Sequence, residues 1–200
     1  MMVEAMTVLL KQLNGYVAQA DGDGPGAPVQ AVWGNVAQLD RAEVATELEN
    51  HIVLTLVNLE EERALKNGKS FAGTGSSDVA YRNRPIHLNL FLLFTANYRN
   101  YGTALRRLSQ VLTFFQGKQK FTLANSPGAL PQPPVAEFSL TMDLLSPTLE
   151  GVNHLWGFLG AKQGVSVLYR GRLVAISDDR VLAGGGYIRE IDVLSRDATA

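Results

Sequence analysis

The chain contains no cysteine, which excludes disulfides, thiol catalysis and thiolate-held zinc or iron–sulfur centres, and fits a reducing compartment. Histidine is nearly as scarce. His51, His87 and His154 are the only three, and none has a companion at metal-ligand spacing, so each reads as a core or interface residue. The longest apolar run, around residues 88–94, falls far short of the ~20 residues a membrane helix needs. Glu4 and Lys11 interrupt the N-terminal apolar pattern, so the start of the chain does not read as a secretory signal. Net charge is lacking too: 18 basic against 19 acidic residues leave −1, which offers no overall field to nucleic acid or anionic lipid. The charged fraction of 18% lies below the roughly 25% typical of soluble domains. A large core or a partner-covered surface would each account for that.

What is present suits one domain spanning all 200 residues. Val3, Met6, Leu10, Leu13 and Val17 recur every three or four positions, which predicts an amphipathic helix over 2–20. Asp21-Gly-Asp-Gly-Pro-Gly then breaks the chain; it lacks the later ligands of a calcium loop and reads as a turn. Strands are predicted at 28–33 and, rich in branched residues, at 51–59. The Gly/Ser-rich stretch 67–83 lacks the lysine and following helix of a phosphate-binding loop. It reads as a mobile loop joining two strands.

Residues 84–96 form the clearest strand. Ile86, Leu88, Leu90, Leu92 and Phe94 fall on a core face, and His87, Asn89, Phe91, Leu93 and Thr95 on a half-polar face open to water or a neighbour. A helix follows at 101–116, with Tyr101, Ala104, Leu105, Leu108, Val111, Leu112 and Phe115 on one stripe and Gly117 at its end. The proline-rich segment 124–136 reads as an extended arm. A strand at 137–145 leads to Ser146-Pro147, a helix start with serine as cap. Gly160 stops that helix, and strands at 165–177 and 187–194 flank a glycine turn, Gly184 to Gly186. The expected class is α+β: a mixed or antiparallel sheet with packed helices.

Catalysis finds no support. There is no nucleophile elbow, and the run Glu60, Glu61, Glu62 alternates its carboxylates instead of converging them. A polar pocket beside loop 67–83, with the loop as lid, would be the signature of an enzyme or small-ligand binder. The unusual feature is charge segregation. Residues 42–62 carry Glu43, Glu47, Glu49, Glu60, Glu61 and Glu62 with no base, whereas 84–136 carry Arg84, Arg99, Arg106, Arg107, Lys118 and Lys120 with no acid. Either neighbouring elements neutralise one another, or the subunit bears two complementary faces suited to head-to-tail assembly. On the second reading Glu43, Glu47 and Glu49 oppose the basic set, and His87, Asn89 and Thr95 with arm 124–136 offer a docking surface.

Residues 52–62 (IVLTLVNLEEE), 85–98 (PIHLNLFLLFTANY), 108–118 ending in Gln116-Gly-Lys118, 155–160 (LWGFLG) and 166–169 (SVLY) together resemble the cap, or tube-terminator, proteins of extracellular contractile injection systems. These are the phage-tail-like particles of the antifeeding-prophage and virulence-cassette type. The resemblance runs from the first helix to about Ile191. It implies a tail-terminator-like fold, six copies in a ring, and a seat on the distal end of the inner tube against the last sheath layer. It also implies no enzymatic activity, no cofactor, assembly in the cytoplasm, and tube and sheath proteins as partners, with a baseplate or tail-completion adaptor as the alternative place in the particle.

Overall fold

The computed structural model describes residues 2–22, 30–62, 71–73, 78–82, 86–122, 124–128, 138–176 and 181–186. Helix α1 spans Met2–Asp21. Its buried stripe is Ala5, Val8, Leu9, Leu13 and Val17; of the predicted stripe Leu13 and Val17 are buried, Met6 and Leu10 pack half-buried against the core, and Val3 is exposed. Two apolar stripes overlap on this helix, and packing against the sheet selected the one with alanine in the first turn. Asn14 then ties down strand β1, Ala31–Trp33. Its Oδ1 accepts from the N–H groups of Gln30 and Ala31 and its Nδ2 donates to the Ala31 carbonyl, each at 2.8 Å. Residues 28 and 29 of the expected strand lie outside the described residues.

A 3-10 turn, Val36–Gln38, and a short helix α2, Ala42–Glu47, follow without a hydrophobic period to announce them. Gly34 lies close beneath Leu48: a Cβ here would lie 2.8 Å from both terminal carbons of Leu48, which would have to shift to admit it. Strand β2, His51–Glu61, pairs parallel with β1 and antiparallel with β5, Ile86–Asn97. The six-stranded sheet has the order β1-β2-β5-β8-β7-β6, with β6 Lys120–Thr122, β7 Ser139–Leu145 and β8 Ser166–Ile176. Every pairing but β1–β2 is antiparallel, so the class is α+β with a mixed sheet, as expected.

A second sheet corrects two expectations. Within 67–83, read as a loop, β3 (Phe71–Gly73) and β4 (Asp78–Arg82) pair antiparallel. Gly184, Gly185 and Gly186, read as a turn, end β9 (Val181–Gly186) and pair with Ala80, Val79 and Asp78. Glycine carries no side-chain alternation, so its strand pairing is set by main-chain hydrogen bonds to a partner about a hundred residues away. The strand expected at 187–194 lies outside the described residues.

Helix α3, Tyr101–Gly117, is capped by Asn100, whose Oδ1 accepts from the Thr103 N–H at 3.0 Å. It buries Ala104, Val111, Phe114 and Phe115, whereas Tyr101, Leu105 and Leu112 of the predicted stripe are exposed. Helix α4, Leu149–Leu159, is capped by Thr148, not Ser146: the Thr148 hydroxyl accepts from Gly151 N–H at 3.1 Å. Gly160 ends it at φ 65°, a left-handed conformation that glycine adopts without strain.

Two cores sandwich the sheet. Residues of α1 and α3 cover one face, where Phe94, Phe114, Phe115, Phe121 and Tyr169 join in pairs with ring centroids 4.5 to 6.1 Å apart. Val36, Leu48, Val53, Leu93 and Trp156 form the second core on the other face, under the 3-10 turn, the end of α2 and α4. Strand β5 is therefore covered on both sides, and each large side chain it buries contributes roughly 1.5–3 kcal/mol.

Candidate assembly surfaces

Most of the basic residues proposed for an interface are engaged inside the chain. Arg99 Nη2 donates to Glu49 Oε2 at 3.1 Å, so these two members of the opposed sets neutralise each other. At the end of α1, Asp21 gathers three donors from α3: Arg106 Nη2 at 3.1 Å, Gln110 Nε2 at 2.9 Å, and Arg107 Nη1. Burial alone would raise the Asp21 pKa, but the hydrogen bonds from Arg107 and Gln110 and the charges of both arginines outweigh it and hold the carboxyl below its ordinary range. Lys118 donates to Gln12 Oε1 at 3.0 Å and to the Asn125 carbonyl at 2.7 Å. Its burial depresses the ammonium pKa. These contacts fasten α1, α3 and the segment 124–128 to one another.

The half-polar face of β5 is likewise not free. Thr95 is 3% and Asn89 6% exposed; Asn89 Nδ2 donates to Glu62 Oε2 at 3.1 Å, and His87 is half-buried. The reason lies in the second core, which the α4 side of the fold lays over the residues that alternate with the first. The arm also differs from expectation at its start. Ser126 is buried, and the Gly128 carbonyl accepts a bond from Lys11 Nζ. Residues 129–137 and Arg84 lie outside the described residues. Of the proposed set, Glu43, Glu47 and Lys120 are exposed on α2 and β6, and Arg99 and Arg106 are exposed although each is bonded within the chain.

Three further features escaped the sequence reading. Asp143 on β7 bridges Arg172 Nε at 3.0 Å and Arg170 Nη2 at 3.6 Å on β8. Charges alternating with Tyr169 and Gly171 in an otherwise apolar strand were the available signal. On the same face, an apolar groove of about 490 Å³ runs between α4 and the sheet, lined by Val57, Phe91, Leu155, Phe158 and Leu168 with His154 at its rim. Finally, α4 turns apolar residues outward, with Leu149 91% and Phe158 80% exposed. Among the described residues no group of three His, Asp or Glu side chains is placed to hold a metal ion, and no helix is long and apolar enough to cross a membrane.

Comparison with solved structures places the fold. The chain superposes over its whole length on the sheath/tube terminator of an extracellular contractile injection system, PVC, in its extended state, with a TM-score of 0.57 and 12% identity. Over 98% of its length it superposes on the tube-terminating cap of the anti-feeding prophage, with a TM-score of 0.55 and 17% identity. It spans 65% and 62% of those two chains, less than two thirds of each. No curated protein sequence matches it. The Pvc16 N-terminal domain model matches residues 4–190, nearly the full chain, and the protein belongs to that family.

Proposed function

We propose that this chain is the structural cap that ends the inner tube of a contractile injection particle and anchors its last sheath layer. The observation that carries the reading is the whole-chain likeness to two proteins that both terminate such tubes, joined to membership of the Pvc16 N-terminal domain family. A growing tube presents the same open subunit rim after every added ring, so growth continues until something binds that rim without recreating it. A chain whose sheet is faced on both sides by helices, and whose outer helix carries Leu149 and Phe158, can bind and offer a different surface outward. The cap acts without turnover, as a ring of six with a mass of roughly 130 kDa, six times 21.7 kDa. It is made in the cytoplasm and departs with the particle, with tube and sheath proteins as its partners.

Deleting the gene and imaging the particles by electron microscopy tests this. The expected result is tubes of irregular length with sheath absent or contracted, rescued by the intact chain. Particles of uniform length with stable extended sheath would refute the role.

A further inference from the structure

Two stretches of the rim of the six-stranded sheet are closed by asparagine side chains. On β1, Asn14 Oδ1 accepts from the Ala31 N–H and its Nδ2 donates to the Ala31 carbonyl, both at 2.8 Å. On β6, Asn125 Nδ2 donates to the Lys120 carbonyl and its Oδ1 accepts from the Thr122 N–H, again at 2.8 Å. A third stretch has no such closure. Strand β1 flanks β2 only at Ile52, Val53 and Leu54, and among the described residues no strand pairs with the outer side of β2 beyond them. The Ile52 N–H donates to the Gln30 carbonyl on that outer side, whereas the Glu62 N–H donates inward to the His87 carbonyl of β5. Alternation from Ile52 turns the main-chain groups of Leu56 outward, and alternation from Glu62 those of Leu59, with the register shift at Val57 between them. Both leucine side chains are exposed, and so is Glu60.

From this geometry we infer that residues 56–60 of β2 receive an extended segment of another protein as an added strand, with an apolar side chain and a base on one of its faces. An apolar edge strand left uncapped invites pairing, and here the capped edges lie in the same sheet. The bulge sets both Val57 and Asn58 beside the apolar groove of about 490 Å³, whose other walls include Phe91, Leu155, Phe158 and Leu168. A strand laid along β2 would therefore hold one apolar side chain over that groove while its main chain bonds Leu56 and Leu59. Glu60 faces the same way, because it pairs with Asn89, which shares a face with Phe91. It accepts only from the neutral Asn58 Nδ2, at 3.2 Å, so its charge calls for a base in the added strand. Strands of this chain fit poorly. Asparagines close β1 and β6, and β3 and β9, the rims of the second sheet, carry no base in Phe71–Gly73 or Val181–Gly186. Two β2 edges would gather two acidic runs on one seam.

The inference stands on the sheet itself and holds whether or not the chain caps a tube. The probe is a fluorescein-labelled peptide with the core Thr-Lys-Val-Phe-Val-Lys-Thr, which reads alike in both directions and so suits parallel or antiparallel addition. Phenylalanine is offered to the groove and a lysine to Glu60. Anisotropy with the full chain should show saturable binding, and amide exchange should slow at Leu56 and Leu59 but not in β6. Glu60→Lys should weaken binding about fivefold, and a peptide with glutamate for both lysines should prefer that variant to the parent. Leu59→Pro removes an N–H that points away from β5, so the dichroism spectrum should be kept and binding lost. Should that variant fail to fold, the charge exchange at Glu60 decides alone. No saturable binding up to about 1 mM, binding indifferent to the charge exchange, or no slowing at Leu56 and Leu59 would each overturn the site. Self-association by light scattering that Glu60→Lys strengthens would give the edge to a second copy and overturn the choice of partner.

Discussion

Asp21→Asn is the substitution whose cost the structure defines best. The side chain is 12% exposed and that of its main partner Arg107 14%, so the charge-assisted bonds between α1 and α3 lie largely out of water. Arg106, at 67% exposed, adds little, as surface pairs do. Hydrogen bonds to a charged group contribute about 1.5–3 kcal/mol. Asparagine keeps one acceptor oxygen, so the expected loss is about 2 kcal/mol. For a chain of this size that corresponds to a fall in Tm of about 4–8 °C. Thermal unfolding followed by circular dichroism at neutral pH measures it. Because the folded-state pKa of Asp21 lies below the ordinary 3.8, its contribution is fully present above that value and is lost as pH falls through the folded pKa. The gap between parent and variant should therefore be constant over about pH 5 to 8 and close in acid. Arg107→Gln should cost a similar amount, and the double variant less than the sum, because the two share one interaction. A neutral-pH Tm for Asp21→Asn indistinguishable from the parent would refute the assignment of Arg107 to a bond inside the fold.

Two further substitutions probe the scaffold. Leu90→Asp places a carboxylate at a buried position of β5, 1% exposed, and should abolish folding; soluble protein with a native dichroism spectrum would contradict it. Asn14→Ala removes the three bonds that hold Gln30 and Ala31 and should cost about 2–3 kcal/mol. Amide exchange should quicken at Gln30 and Ala31 and stay slow in β5, and uniform protection across both would count against a local role.

Local pattern decided a good deal. The branched run that became β2, the alternation that became β5, and the three- and four-residue spacing of α1 and α3 each mark an element, because backbone geometry turns periodicity into a face. The stop at Gly160 and the end of α3 at Gly117 were legible for the same reason. The resemblance, carried by the order and spacing of several segments, reached the family whose model matches residues 4–190. Which face is buried is another matter. The row of His87, Asn89, Phe91, Leu93 and Thr95 is half polar by composition, yet the 3-10 turn and α4, distant in the chain, close over much of it.

Charge showed the limit most clearly. Arg106 and Arg107 looked available because no acid lies near them in sequence, but Asp21 meets them from 85 and 86 residues away, and Glu49 meets Arg99 across 50. Likewise, Asn14 and Asn125 come to close two sheet edges, and Leu59 to lie on an uncapped one, only once the strands have taken their order. Hydrophobic period is written within a few residues because it reflects the geometry of one element. Charge pairing and the edges of a sheet depend on which elements lie side by side, and only the folded chain decides that.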